Sequence, residues 1–90
     1  MAKASVDPAE LRRFARDLKR FSTELQTLLG GLHGKMLGLE RTWKDQEQRK
    51  FFEELQQTTK VLKRFLESSD VHVNFLMRKA TLIEEYLEQR

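Results

Sequence analysis

Two long stretches of this chain place apolar residues at alternating steps of three and four, and this periodicity constrains the fold more than any other feature. The members of the first stripe are Leu11, Phe14, Leu18, Phe21, Leu25, Leu28, Leu32, Met36, Leu39 and Trp43. The members of the second are Phe52, Leu55, Thr59, Leu62, Leu66, Ser69, Val73, Leu76, Ala80, Ile83 and Leu87. Each stripe predicts the core-facing side of one long α-helix with gentle left-handed supercoiling.

The two stripes are joined by a link that is long enough only for a turn. Asp45 is expected to cap the second helix by accepting hydrogen bonds from nearby backbone amides, and Asp7 followed by Pro8 marks the start of the first. We predict one domain over residues 1–90, with a helix over about 8–41, a turn over about 42–45 and a helix over about 46–88. So short a link makes the helices antiparallel neighbours. The predicted fold class is therefore all-α, an antiparallel helical hairpin whose turn is closed by Trp43.

Four glycines, Gly30, Gly31, Gly34 and Gly38, fall inside the first stripe, and each costs about 1 kcal/mol relative to alanine in a helix interior. A break or kink at Gly30 and Gly31 is one alternative, but the apolar phase passes through without a slip and favours an unbroken helix. Gly30, Gly34 and Gly38 are expected to point away from the hairpin core, where small residues let a second backbone approach. We therefore predict that these three contact a helix of another subunit.

The second helix has an apolar arc wider than one neighbouring helix requires. Beside its stripe lie Phe51, Val61, Phe65, His72, Phe75, Leu82 and Tyr86. Such a band marks an interaction surface, and a dimer that forms a four-helix bundle would cover it. We predict Phe65, His72 and Phe75 in this dimer interface. An alternative for this half of the chain is a third helix capped by residues 68–70, although the phase again runs on unbroken.

The sequence suggests no catalytic, cofactor-binding or metal-binding residues. It has no cysteine, and its two histidines, His33 and His72, form no pair with metal-ligand spacing. Catalysis is therefore not expected, and no cofactor is predicted. No stretch is apolar enough to span a membrane, and residues 1–5 open no signal-peptide core, so any export is expected to occur without a cleaved signal peptide.

The formal net charge is +3, and basic residues cluster at the end of the hairpin that holds the termini. The cluster comprises Arg12, Arg13, Arg16, Lys19, Arg20, Arg78 and Lys79. We interpret it as a solvated surface, with an acidic protein partner and a nucleic acid as alternatives. No aromatic side chain interleaves these positions as a base-stacking platform requires, so nucleic acid is not the expected partner.

Several residues together resemble those of the WXG100 family, whose members are helical hairpins of about a hundred residues. Trp43 lies at the midpoint, Asp45 stands where the family's Trp-x-Gly turn has glycine, and Phe51 matches the phenylalanine eight positions after the tryptophan. The resemblance covers essentially the whole chain. The change at Asp45 suits the turn if that residue has a negative φ.

The resemblance implies a small protein of the early-secreted-antigen type, dimerising as a four-helix bundle and exported by a type VII secretion system. A homodimer is the expected assembly, and a heterodimer with a related hairpin is the alternative. The family's export signal, Tyr-x-x-x-Asp/Glu, is not matched, because Tyr86 is followed four residues later by Arg90. Tyr86 is thus a candidate remnant of that signal. A second functional class stays open, an intracellular coiled-coil adaptor that docks on another helical protein.

Overall fold

The computed structural model describes residues 6–89, and two helices make up nearly all of this range. Helix α1 spans Pro8–Thr42 and helix α2 spans Gln46–Glu88. They run antiparallel as a rod of 68 × 20 × 15 Å, so the predicted helical hairpin is confirmed. Both helices are continuous, and the alternatives of a break at Gly30 and of a third helix after Ser69 are wrong.

Both helix starts follow from capping aspartates. The Asp7 carboxylate accepts from the backbone amide of Ala9 at 2.9 Å, and the Asp45 carboxylate accepts from that of Gln48 at 3.1 Å. Each bond satisfies one of the amide groups that a helix start leaves without an internal partner. Asp45 has a φ of −95°, which a non-glycine residue adopts without strain.

Small side chains hold the helices together in the half of the hairpin that contains the termini. Ala15 and Ser22 of α1 are buried, as are Ser69 and Ala80 of α2. The Ser22 and Ser69 hydroxyls hydrogen-bond to each other between the helices, so neither buried polar group is left without a partner. Side chains this small allow a close approach of the two helix backbones.

Aromatic side chains close the opposite end. The Trp43 ring lies 5.6 Å from that of Phe51 and 6.0 Å from that of Phe52, measured between centroids. Phe52 is buried, and Trp43 is half-buried. The predicted role of Trp43 as the apolar closure of the turn is consistent with this cluster.

The prediction for the first stripe needs a correction. Phe14, Phe21 and Leu28 were expected to face the core, yet all three are exposed. The side of α1 that faces α2 keeps half-buried members of the predicted stripe, such as Leu18 and Leu25, but has Ala15 and Ser22 in place of Phe14 and Phe21. A pattern that scores only large apolar residues favours the exposed row, because serine does not count as apolar.

Candidate functional site

The main candidate site is a long apolar surface on one side of the hairpin, which we call the phenylalanine face. Phe21 of α1 and Phe65 of α2 meet there edge to face, with ring centroids 5.9 Å apart. Residues seven apart share one side of a helix, so this contact places both rows on one side of the hairpin. The face comprises Phe14, Phe21, Leu28, Phe51, Phe65 and Tyr86 on these rows, with Val61, Phe75 and Leu82 on the neighbouring row of α2, all of them exposed.

The predicted interface residues of α2 belong to this surface. Phe65 and Phe75 are members of it, and His72 follows Phe65 by seven residues and is likewise exposed. Sequence reasoning missed the contribution of α1, because it assigned Phe14 and Phe21 to the core. The neighbouring row of Ala15, Ser22 and Leu29, spaced by seven residues, was the signal that could have separated core from surface.

The three predicted interface glycines are spread around the outer side of α1. A Cβ atom added to Gly30, Gly34 or Gly38 would meet nothing within 4 Å, which fits their predicted outward position. Gly30 follows Leu28 by two residues, or about 200° around the helix, and so lies on the other side of α1 from the phenylalanine face. Gly30 therefore does not share a surface with Phe65, whereas Gly38 follows Leu28 by ten residues, as Phe75 follows Phe65, and so lies towards the edge of that face.

The side of the hairpin opposite the phenylalanine face carries two interhelical ion pairs. Arg12 donates to Glu84 through two nitrogens, at 2.6 and 3.0 Å, and also to the Thr81 hydroxyl at 2.9 Å. These hydrogen bonds lower the pKa of Glu84 below its ordinary value and raise the pKa of Arg12. Lys19 and Asp70 form the second pair at 3.5 Å between Nζ and Oδ1. The predicted basic end is thus partly neutralised.

The turn-motif residues do come together. Trp43 ends α1, with its backbone amide donating to the Leu39 carbonyl at 2.9 Å, while its ring contacts Phe51. Asp45 begins α2 two residues later. The motif therefore acts on the geometry of the hairpin end, because each of its three residues either caps a helix or packs in the aromatic cluster.

Neither metal-binding nor membrane-spanning features are present in residues 6–89. That range holds no group of three or more histidine and carboxylate side chains able to surround a metal ion. Over the same residues, neither helix combines the length and apolar character needed to cross a bilayer.

A comparison with protein families matches residues 3–86 to WXG100, described as proteins of 100 residues with WXG. No curated protein sequence matches the chain. The matched range includes both helices down to Tyr86 and the turn between them. It also includes Trp43 and Asp45.

Solved structures of the secreted protein EsxB from Bacillus anthracis strain Sterne are similar to this hairpin. The selenomethionine-labelled form has a TM-score of 0.80 and 27% identity, covering 96% of this chain and 98% of that one. A glycine-to-alanine variant of EsxB has a TM-score of 0.79 and 27% identity, covering 93% of this chain and 97% of that one. A glutamate-to-glutamine variant of EsxB has a TM-score of 0.80 and 26% identity, covering 96% of each chain.

Proposed function

Because the chain belongs to the WXG100 family, we propose that it is a non-enzymatic substrate of a type VII secretion system and works as a dimeric helical hairpin. Its similarity to the secreted protein EsxB over nearly the whole length of both chains supports the secretion part of this proposal. The dimeric part rests on the phenylalanine face, which is the observation that carries the proposal.

The phenylalanine face needs a partner on physical grounds. Its aromatic and aliphatic side chains are exposed along both helices, and exposed apolar side chains grouped on one side of a protein mark an interaction site. A stable protein interface buries about 800 Å² on each partner, which one broad side of a rod 68 Å long and 20 Å wide can supply. The economical partner is a second copy, whose identical face is equally apolar.

Two such hairpins packed face to face form a four-helix bundle. In this arrangement Phe14, Phe21 and Leu28 become core residues of the dimer, although they are surface residues of the monomer. His72 lies among them as a polar member of the interface. A heterodimer with a related hairpin would bury the same surface, so the proposed interface is the same for a second copy and for a different chain.

Tyr86 is proposed as a remnant of the export signal. It lies near the end of α2, with 65% of its surface exposed. Arg90, the residue that departs from the Tyr-x-x-x-Asp/Glu pattern, lies outside the described residues. A partner that carries the complete signal would explain export of this chain in a complex.

The test of the secretion proposal is export from a bacterium that carries a type VII system, with the untagged chain detected by antibody in cells and medium. We expect the chain in the medium of the parent strain and only in the cells of a strain that lacks the secretion ATPase. A cytosolic marker protein controls for lysis. Equal release from both strains, or retention in both, would contradict the proposal. Retention together with a helical partner would favour the intracellular adaptor.

A further inference from the structure

A cleft runs between the helices on the side of the hairpin opposite the phenylalanine face. It has a volume of about 830 Å³ and is lined by residues from Gln26 to Met36 of α1 and from Leu55 to Asp70 of α2. It lies between the buried Ser22–Ser69 pair and the aromatic cluster at the turn, in a stretch where the core leucines are only half-buried. Its volume is within the usual range for small-molecule sites, about 300 to 1,000 Å³.

The cleft has an apolar floor and a cationic wall. The floor is formed by the half-buried Leu29, Met36, Leu55 and Leu66. Lys60 and Lys63 stand on the α2 wall, one turn apart. Within residues 6–89 the ion pairs are those of Arg12 and Lys19, so neither wall lysine is paired with a carboxylate.

We propose that this cleft binds a long-chain carboxylate, such as a fatty acid. The carboxylate would be held by the ammonium groups of Lys60 and Lys63, and the acyl chain would lie on the leucine and methionine floor. The acidic residues of the cleft, Glu67 and Asp70, are at the end nearer the termini. The acyl chain would therefore extend from the two lysines away from these carboxylates, towards Met36 and Leu55 near the turn.

The shape of the cleft favours an acyl chain over a docked helix. An α-helix with its side chains is about 10 to 12 Å across, so it would lie on top of a groove between two adjacent helices. An unbranched acyl chain is thin enough to reach the floor. Gly30 lines the α1 side, and a Cβ atom placed there would meet nothing within 4 Å, so this part of the wall is open.

The proposal does not depend on the dimer, because the cleft and the phenylalanine face are on opposite sides of the hairpin. The test uses sodium laurate below its micelle concentration, titrated into the purified full chain with calorimetry and with NMR detection of backbone amides. We expect saturable binding, with shifts concentrated around Gly30 and Thr59. Shifts concentrated around Phe21 and Phe65, or no saturable binding, would overturn the proposal.

Two glycine variants distinguish an effect on the cleft from a general effect on helix α1. Gly30→Leu places a side chain into the cleft, whereas Gly34→Leu makes the same change one turn on at a residue outside the lining. Both variants should fold, since leucine is a better helix former than glycine. We expect Gly30→Leu to weaken laurate binding by about tenfold or more, as for loss of about two buried methylene groups. Equal affinities in the two variants would overturn the proposal.

The charge requirement is tested with the double variant Lys60→Gln and Lys63→Gln, which keeps long polar side chains. Loss of the charged hydrogen bonds should weaken laurate binding by about tenfold. Lys50→Gln, outside the cleft, is the matched control and should bind as the unmodified chain does. Unchanged affinity in the double variant, or equal binding of dodecyltrimethylammonium, would show that the carboxylate is not recognised and would contradict the proposal.

Discussion

Phe21 and Phe65 pack edge to face across the two helices at 83° between their ring planes, yet they remain 54% and 39% exposed. Their contact is at the surface of the hairpin, since the core side of α1 is formed by Ala15 and Ser22. Two phenylalanines that pack against each other but stay exposed to water can form half of an apolar core, with a partner that supplies the other half. The proposed dimer completes that core.

The double variant Phe21→Glu and Phe65→Glu should be monomeric. Burying four carboxylates in the dimer interface would cost far more than the lost apolar contacts, whereas the hairpin core does not contain either residue. Light scattering gives the mass, and circular dichroism checks that the helices remain. Thr27→Glu, at an exposed position of α1 away from this face, is the control and should stay dimeric. A dimeric double variant would rule out the phenylalanine face as the interface.

Gly34→Leu distinguishes the phenylalanine face from the glycine interface that the sequence predicts. Because Gly34 is outside the phenylalanine face, we expect the mass of this variant in solution to stay that of a dimer. Helix stability should rise by about 1 kcal/mol, the propensity difference between glycine and a good helix former. A lower mass with intact helicity would instead support the glycines as the contact surface.

Asp45→Ala should lower the free energy of unfolding by about 1 kcal/mol, because the Gln48 amide loses its capping carboxylate. Asp45→Gly, which restores the Trp-x-Gly pattern of the family, should cost only a few tenths of a kcal/mol, since glycine is itself an acceptable N-cap. Urea denaturation measures both. An alanine variant as stable as the unmodified chain would show that the cap does not contribute.

Acid should weaken the contact between Arg12 and Glu84. The hydrogen bonds from Arg12 lower the pKa of Glu84 in the folded state, so the pair stabilises the fold above the ordinary glutamate pKa, about 4.3. That contribution is lost as the pH falls from about 4.3 through the lowered folded-state pKa. In Glu84→Gln the thermal midpoint should therefore fall less over this range. Glu85→Gln should behave as the unmodified chain, and equal pH profiles for both variants would contradict this assignment.

The helical hairpin could be predicted from the sequence because its signals are local. The step of three and four, Pro8 after Asp7 and the cap at Asp45 each depend on a few neighbouring residues. The second stripe also identified the core side of α2 correctly, since buried Phe52, Ser69 and Ala80 all belong to it.

The α1 half of the phenylalanine face could not be assigned with the same rule. In α1 two rows of residues with heptad spacing lie side by side, and the one with more aromatic residues faces outward. Which row faces α2 is decided by the close approach at Ser22 and Ser69, a contact between residues 47 positions apart. The cleft could not be predicted for the same reason, because its two walls come from different helices.

Dimerisation is tested by the absolute mass of the purified chain in solution, measured by light scattering over a dilution series. If two copies pair through the phenylalanine face, the mass is twice that of the 10.7 kDa chain and persists on dilution, together with high helicity. A well-folded monomer at all concentrations would contradict this pairing, because the phenylalanine face would then be stable without being covered by a second copy.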